Sequence, residues 1–257
     1  MITWLAGSLG HTLLGLCSTM GGFALFFRDF MYALFTTRLQ ITKLFSQMEQ
    51  VGIGSLVIVA LTGTFTGAVL ALQSYIGFKR YGGTELIGPL IALSMTRELG
   101  PVITGLMVTG RAGSAMAAEL GTMRITEQID ALVTLNINPL QYLVIPRILA
   151  STVIMPFLTV FSMACGIIGG YIVCIYSLGL NSQQYMEGIR KYLEFSDITS
   201  GLIKSAFFGL IISWVGCYKG YVASGGARGV GLSTTQSVVM GSILMLLANY
   251  FLTSLLF

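Results

Sequence analysis

The sequence carries very little charge. Only 9% of its 257 residues are charged, whereas 54% are hydrophobic, and the mean hydropathy is +0.83. A soluble domain carries about 25% charged residues, so this composition excludes a water-soluble globular protein. A net charge of +4, scattered along the chain, also argues against a nucleic-acid partner. The class that remains is a protein whose solvent is the lipid bilayer.

Residues that bind metals or carry catalysis are scarce as well. There is one histidine, His11, and the four cysteines form no Cys-x-x-Cys pair, so no metal, redox centre or cofactor is expected. No Gly-x-x-x-x-Gly-Lys-Ser/Thr loop for phosphates occurs, and the nearest segment, 225–231, lacks the lysine. The sequence therefore predicts a protein that is not itself an enzyme. If ATP drives it, another subunit must hydrolyse the ATP.

Long uncharged runs are what the sequence does contain. Residues 50–78, 148–186 and 229–257 carry no charge, and each run exceeds the ~20 residues that cross ~30 Å of hydrocarbon. The fold class predicted is an all-α membrane protein with a single domain over residues 1–257. About five transmembrane helices are expected, at 51–78, 86–112, 147–178, 198–218 and 230–257.

The N-terminal 35 residues show a helical stripe of apolar side chains with small and polar residues between them. Its steps are three or four residues: Ile2, Leu5, Leu9, Leu13, Leu16, Met20, Phe23, Phe27, Phe30 and Leu34. We expect an amphipathic helix lying along the membrane interface, anchored by Arg28, Arg38 and Lys43. Residues 1–45 would then precede a transmembrane core at 51–257. The alternative is that residues 1–35 form a first true span. A signal peptide is not expected, because no Lys or Arg precedes Arg28.

The placement of Lys and Arg predicts the orientation in the membrane. One side carries Arg28, Arg38, Lys43, Arg111, Arg124, Arg147, Lys219 and Arg228. The other side carries Lys79, Arg80, Arg190 and Lys191. Because positive residues accumulate on the cytoplasmic side, we expect the N-terminus and residues 113–146 in the cytoplasm. The C-terminus would be extracytoplasmic.

Three charges lie well inside the predicted spans and away from the span ends: Arg97, Glu98 and Lys204. A charge at the bilayer centre costs roughly 2.5–3.5 kcal/mol. Arg97 and Glu98 are therefore expected either to pair, with each other or with Arg111, Glu119 or Lys204, or to face a cavity that receives a lipid headgroup. Lys204 is the closest of the three to a span end, the outer one, and we expect its ammonium to extend to the interface.

The first predicted span contains a Gly-x-x-x-Gly pattern, formed by Gly63 and Gly67. Small residues at this spacing let two helices approach closely in a membrane. The pattern predicts either packing within the chain or contact with a second copy.

The segment between the second and third spans predicts a short helix. Thr126 could cap it, Ile125, Ile129 and Leu132 share one face, and residues 136–139 would stop it. It is either an ordinary surface helix or a peg that docks into a cytoplasmic partner.

Four linked motifs carry a resemblance to a known family. In chain order they are Arg97-Glu-Leu-Gly-Pro101, Gly110-Arg-Ala-Gly-Ser114, Ala118-Glu-Leu-Gly-Thr-Met-Arg124 and Thr126-Glu-Gln-Ile-Asp130. With the length and the uncharged last span, they resemble the MlaE/YrbE family, the permeases of MCE-associated phospholipid transporters of the ABC type. The resemblance implies a homodimer in a cell inner membrane, joined to two cytoplasmic ATPases and an extracytoplasmic MCE-domain ring. In many such systems a small STAS-domain protein binds the ATPase.

The resemblance also implies where function resides. A substrate cavity for phospholipid would lie between two protomers, lined by the first two spans. The matching positions are Leu70, Phe78, Tyr81, Arg97 and Glu98. Contact with the ATPase is expected from Arg124, Glu127, Gln128, Asp130 and Ala131.

Three other classes of function fit the sequence less well. A secondary transporter driven by an ion gradient usually shows repeated halves, and no such repeat is visible here. An intramembrane enzyme needs a nucleophile and base or clustered metal ligands. A structural scaffold would leave Arg97 and Glu98 without a purpose. We therefore expect an ABC-type lipid permease, with the ion-driven transporter as the alternative.

Overall fold

A computed structural model of the chain describes residues 21–34 and 41–256, and these residues form helices and turns without a strand. In chain order the helices are α1 (21–34), α2 (Ile41–Phe78), α3 (Thr84–Ile125), α4 (Gln128–Thr134), α5 (Leu140–Ser177), α6 (Ser182–Tyr192), α7 (Phe195–Tyr221) and α8 (Gly226–Leu256). Helices α2, α3, α5, α7 and α8 are long and apolar enough to cross a bilayer. The all-α class and the five predicted spans are thus confirmed.

The helices continue beyond the apolar runs that predicted them. Helix α2 begins at Ile41, so Lys43 lies in its first turn and not in a separate anchor before it. Helix α3 continues to Ile125, although its predicted span ended at residue 112. At 1.5 Å per residue α3 is about 63 Å long, twice the ~30 Å of hydrocarbon. Apolar runs report only the part of a helix within the bilayer, which explains the difference.

Helix α3 contains two wide turns with π-type hydrogen bonding, at Met95–Leu99 and Thr109–Gly113. The first turn lies just before Pro101, which has no N–H to donate to the carbonyl of Arg97, its partner in a regular α-helix. Such wide turns are frequent at functional positions. In this chain each of the two turns carries an arginine, Arg97 or Arg111.

Helices α2 and α5 pack with their backbones in close contact. A Cβ atom at Gly67 would overlap the carbonyl group of Gly166, and one at Gly63 would lie 2.8 Å from the carbonyl oxygen of Ser162. The Gly-x-x-x-Gly pattern therefore serves packing within the chain, which is one of its two predicted roles. Helix α5 also packs along α7, so it forms the centre of the bundle.

Helix α1 is attached to α7 by aromatic side chains. The ring of Trp214 contacts four phenylalanines at centroid distances of 4.9 to 5.9 Å: Phe23, Phe26, Phe27 and Phe30. Leu25 and Tyr32 on other faces are exposed, as expected for a helix in contact with lipid. The predicted stripe from Ile2 to Met20 and the predicted anchor Arg38 lie outside the described residues.

Helix α6 was not predicted, because its composition is polar and it lies between two spans. The side chain of Asn181 caps it by accepting the N–H of Gln183 at 2.8 Å. Tyr185 and Ile189 are buried on its inner face, and the Tyr185 hydroxyl donates to the carbonyl of Ile167 at 3.3 Å. Burial raises the pKa of Tyr185, so this phenol remains a donor at neutral pH.

These connections define two ends of the bundle. The α4 end carries α4 and the turn between α7 and α8, and the α6 end carries α6 and the turn between α2 and α3. Helix α2 begins at the α4 end. Since there are five spans, α8 ends at the α6 end.

Candidate functional site

Arg97 forms an ion pair with an aspartate at the start of α7. Its Nη2 lies 2.6 Å and its Nε 2.7 Å from Oδ1 of Asp197. The other oxygen of Asp197 accepts the backbone N–H of Glu194 at 3.0 Å and so caps α7. Sequence reasoning missed Asp197, because Glu194 is not among the residue types that usually cap a helix.

Glu98 of α3 pairs with Lys204, which lies on α7 as Asp197 does. Nζ of Lys204 donates to Oε1 of Glu98 at 2.6 Å, to the carbonyl of Arg97 at 3.0 Å and to the hydroxyl of Thr253 at 2.9 Å. Three acceptors match the three protons of an ammonium group. Asn249 donates its amide to Oε2 of Glu98 at 3.1 Å, so α8 completes the network.

The expectation that Lys204 extends to the interface is wrong. Its side chain is fully buried, because the carbonyl of Arg97, freed by Pro101, and the carboxylate of Glu98 offer acceptors inside the bundle. The expectation that Arg97 and Glu98 pair with other charges is met in part. Lys204 is one of the partners considered, and Asp197 is a new one.

The two ion pairs share an asymmetry in exposure. The side chain of Arg97 is 41% exposed and that of its partner Asp197 is 1% exposed. Glu98 is 37% exposed and Lys204 is 0% exposed. In each pair the α3 member therefore reaches the surface of the protomer, within a membrane-spanning helix. Charges in that position face a cavity or another protein surface, because lipid does not solvate them.

An apolar groove lies on α2 and α3 close to these charges. Its volume is about 400 Å³, and it is lined by Phe65, Thr66, Val69, Leu70, Gln73 and Leu99. Leu99 directly follows Glu98, so the groove and the charged network are neighbours on α3. Leu70 lines this groove, whereas Arg97 and Glu98 do not, because their side chains contact Asp197 and Lys204 on α7.

Two predicted cavity residues are not part of this groove. Phe78 ends α2 and is half-buried against the hydrophobic cluster beneath α6. Tyr81 ends the short turn Lys79–Tyr81, and its side chain lies outside what the structure describes. Both positions are at the α6 end, beyond the groove.

A helix is present where the coupling segment was predicted, at Gln128–Thr134. Arg124 and Asp130 form an ion pair of 2.6 Å across the bend between α3 and α4. Glu127 occupies that bend with a left-handed backbone, φ 59°. The expectation that Thr126 caps α4 is wrong, because its hydroxyl donates to the carbonyl of Thr122 at 2.8 Å. Ile125 belongs to α3 and does not share the face of α4.

The surface around α4 is exposed and partly apolar. Ile129 is buried and holds the helix on the bundle, whereas Gln128, Asp130 and Ala131 face outward. Three large apolar side chains are exposed in and just after α4: Val133, Leu135 and Ile137. An apolar patch rimmed by polar groups is typical of a protein contact.

Metal-binding chemistry has no obvious location in residues 21–34 and 41–256. That part of the chain holds no group of three His, Cys, Asp or Glu suited to a metal ion. Cys174 and Cys217 are buried free thiols, and Cys165 is half-buried.

Comparison with known proteins decides the family. A family model described as permease MlaE matches residues 44–255. The chain belongs to the MlaE permease family. A probable ABC transporter permease protein of Rickettsia conorii is 45% identical over 257 residues, which cover 100% of this chain and 99% of the relative.

Two other relatives carry more specific names. The intermembrane phospholipid transport system permease protein MlaE of Haemophilus influenzae is 37% identical over 215 residues, 83% of this chain and 82% of that protein. The chloroplastic protein trigalactosyldiacylglycerol 1 of Arabidopsis thaliana is 41% identical over 211 residues, 82% of this chain and 60% of that protein. The predicted membership of the MlaE family is thus confirmed, and the chain is a multi-pass membrane permease of the ABC type, a transport subunit.

Proposed function

We propose that this MlaE-family permease moves phospholipid between an inner membrane and an extracytoplasmic MCE-domain partner, driven by a separate ABC ATPase. The observation that carries the proposal is that Arg97 and Glu98 are partly exposed on a membrane-spanning helix, α3, which also contributes Leu99 to the apolar groove. An apolar wall with a few polar groups suits an amphiphile. The Haemophilus relative is named as a phospholipid transport permease, which supports the same substrate class.

The groove would hold acyl chains and the charges of α3 would meet the headgroup. The guanidinium of Arg97 matches a phosphate, since its N–H groups form a planar fork. Asp197 and Lys204, both buried, hold the two α3 side chains in place.

A second copy of the chain is proposed to close the cavity. On one protomer the groove is open to the outside, and Arg97 and Glu98 face outward. A homodimer would cover both with the matching surface of its partner. Leu70, Phe78 and Tyr81 would then line successive levels of one path toward the α6 end.

The α4 end is proposed to be cytoplasmic and to bind the ATPase. Arg124, Glu127, Gln128, Asp130 and Ala131 would form the contact, with the exposed apolar side chains after α4 beside them. The excess of Lys and Arg near this end supports the orientation. The N-terminus would be cytoplasmic and the C-terminus extracytoplasmic, a STAS-domain protein would bind the ATPase, and the MCE-domain partner would meet the α6 end.

The first experiment is mass spectrometry of the tagged protein purified in mild detergent from its native cell. We expect an ABC ATPase and an MCE-domain protein in near-stoichiometric amounts, together with enriched phospholipid. A protein that arrives alone in every detergent, and transports lipid on an ion gradient without ATP, would instead establish the secondary transporter.

A second experiment tests the groove itself with matched variants. Val69→Trp fills the groove, and Ile168→Trp places the same ring at an exposed position on α5. We expect the first variant to lose co-purifying phospholipid and transport while still binding the ATPase. The second should behave as the wild type, and equal loss in both would refute the groove as the lipid site.

A further inference from the structure

A second polar cluster lies between α2, α3 and α5 at the α4 end. Nη2 of Arg147 lies 3.0 Å from Oε2 of Glu119, and the amide of Gln50 donates to Oε1 at 2.8 Å. Arg147 is buried and also donates to the carbonyl of Leu143 at 2.9 Å. Both carboxylate oxygens of Glu119 are therefore already engaged.

The side chain of Arg111 extends into the same cluster, and its hydrogen-bond partners there are neutral. Its Nη1 donates to the carbonyl of Gln50 at 3.2 Å and to the hydroxyl of Ser55 at 3.1 Å. No carboxylate in the described part of the chain lies within 4.0 Å of its guanidinium. Gly54 is required for this position, because a Cβ there would overlap the guanidinium of Arg111.

The cluster carries one uncompensated positive charge and encloses a small pocket. The guanidinium groups of Arg111 and Arg147 face a single carboxylate, that of Glu119. The pocket has a volume of about 170 Å³ and is lined by Gln47, Gln50, Val51, Arg111, Ala112, Ala115, Met116 and Glu119. Its apolar walls are Val51, Ala112, Ala115 and Met116, and it opens to the surface on the side of Arg111, which is exposed.

We propose that this pocket binds the phosphodiester anion of a phospholipid headgroup, and that it is a second headgroup position on the lipid path. The inference rests on the proposed function and extends it to the α4 end. A phosphodiester carries one negative charge, which balances the one excess positive charge. The unused N–H groups of Arg111 would donate to its oxygens in charge-assisted hydrogen bonds.

An apolar surface connects the two headgroup positions. Arg97 and Arg111 are 14 residues apart on α3, which is about 21 Å along the axis. On α2, Leu61 and Phe65 follow Gly54 by seven and eleven residues, so they share its face. Both are exposed, and Phe65 lines the groove together with Leu99 of α3. Acyl chains could lie on this surface while the headgroup occupies either position.

The test is a photocrosslink placed in each pocket of the assembled complex. A diazirine amino acid replaces Gln47 at the α4 end or Val69 in the groove, and the complex is exposed to vesicles of dioleoyl phosphatidylglycerol. We expect phospholipid adducts at both positions. Dioleoylglycerol, which lacks the phosphate, should react at position 69 and not at position 47.

Variants then assign the α4-end adduct to Arg111. Arg111→Gln should lower the phosphatidylglycerol adduct at position 47 about tenfold, the loss expected for one charge-assisted hydrogen bond. Arg111→Lys should retain much of it. Arg228→Gln removes an exposed charge at the same end of the bundle and should change nothing. If Arg111→Gln does not assemble, the comparison of the two lipids in the unaltered sequence still decides.

Each other outcome has a distinct meaning. Adducts at 69 without adducts at 47 would overturn this inference and leave the proposed function intact, whereas adducts at neither position would count against both. Equal reaction of dioleoylglycerol at 47, or a crosslink there to a second polypeptide, would overturn the phosphate site. Inorganic phosphate that abolishes the adduct at 47 at millimolar concentration would assign the pocket to free phosphate and overturn the lipid source.

Discussion

The ammonium of Lys204 lies 2.6 Å from the carboxylate of Glu98, yet one side chain is fully buried and the other is 37% exposed. A substitution of Glu98 therefore changes two things at once, the exposed surface of α3 and the compensation of a buried charge. Variants at this position must separate these effects.

Glu98→Gln should destabilise the protein by about 3 kcal/mol, because Lys204 loses its charge partner inside the bundle. The double variant Glu98→Gln with Lys204→Met should recover a large part of that loss. Steric trapping in bicelles measures the free energies of unfolding for the double-mutant cycle. Additive effects of the two substitutions would mean that the pair is not coupled. Transport by the stable double variant then reports the role of the Glu98 charge alone.

Asp197 combines two contacts that can be separated by substitution. Asp197→Asn keeps an oxygen for the N–H of Glu194 but weakens the ion pair with Arg97, whereas Asp197→Ala removes both. We expect the alanine variant to be less stable than the asparagine variant by about 1 kcal/mol, the usual value of a helix cap. Thermal unfolding in detergent compares them. Equal stability of the two variants would show that the cap contributes nothing.

Gly67 and Gly77 lie on the same helix and offer a matched pair. Gly67→Ala places a methyl group on the backbone of Gly166, and we expect a loss of about 1–3 kcal/mol from overpacking. Around Gly77 there is open space, so Gly77→Ala should leave stability unchanged or raise it slightly. Unfolding of the two variants by denaturant provides the measurement. A neutral Gly67→Ala would contradict the close packing of α2 on α5.

Glu127 is expected to transmit the ATPase cycle to the spans. Glu127→Lys should uncouple ATP hydrolysis from lipid transport, since it reverses a charge at the proposed contact. Glu187→Lys reverses an exposed acid on α6, at the opposite end of the bundle, and serves as the control. ATP turnover and lipid transport are measured together in proteoliposomes. Unchanged coupled turnover in Glu127→Lys would count against the contact.

Much of the architecture follows from local sequence, because the bilayer imposes long apolar helices. The five spans and the helix near Asp130 were visible in this way. Helix α6 was not, since only Tyr185 and Ile189 mark its buried face among polar residues. Its role depends on contacts with α3 that local patterns do not show.

The polar network was only half predictable for a related reason. A charge within an apolar run is conspicuous, so Arg97, Glu98 and Lys204 could be singled out. Asn249 and Thr253 are uncharged, and Thr253 is 155 residues from the carboxylate it contacts. The buried position of Lys204 depends on the carbonyl of Arg97, which Pro101 leaves without a donor in the helix. Such contacts between distant helices follow from the fold and not from spacing.

The ion pairs between α3 and α7 also bear on how the chain enters the bilayer during synthesis. Helix α7 carries Asp197 and Lys204, and placing either charge in lipid without a partner costs free energy. Their partners Arg97 and Glu98 stand earlier in the chain, so α3 has left the ribosome when α7 reaches the insertion machinery. Helix α7 would then insert next to α3, which is already in the membrane. Helix α8 would insert last and enclose the ammonium of Lys204. We therefore expect these charges to set the order in which the helices insert, and a chain lacking those of α3 should stall at α7.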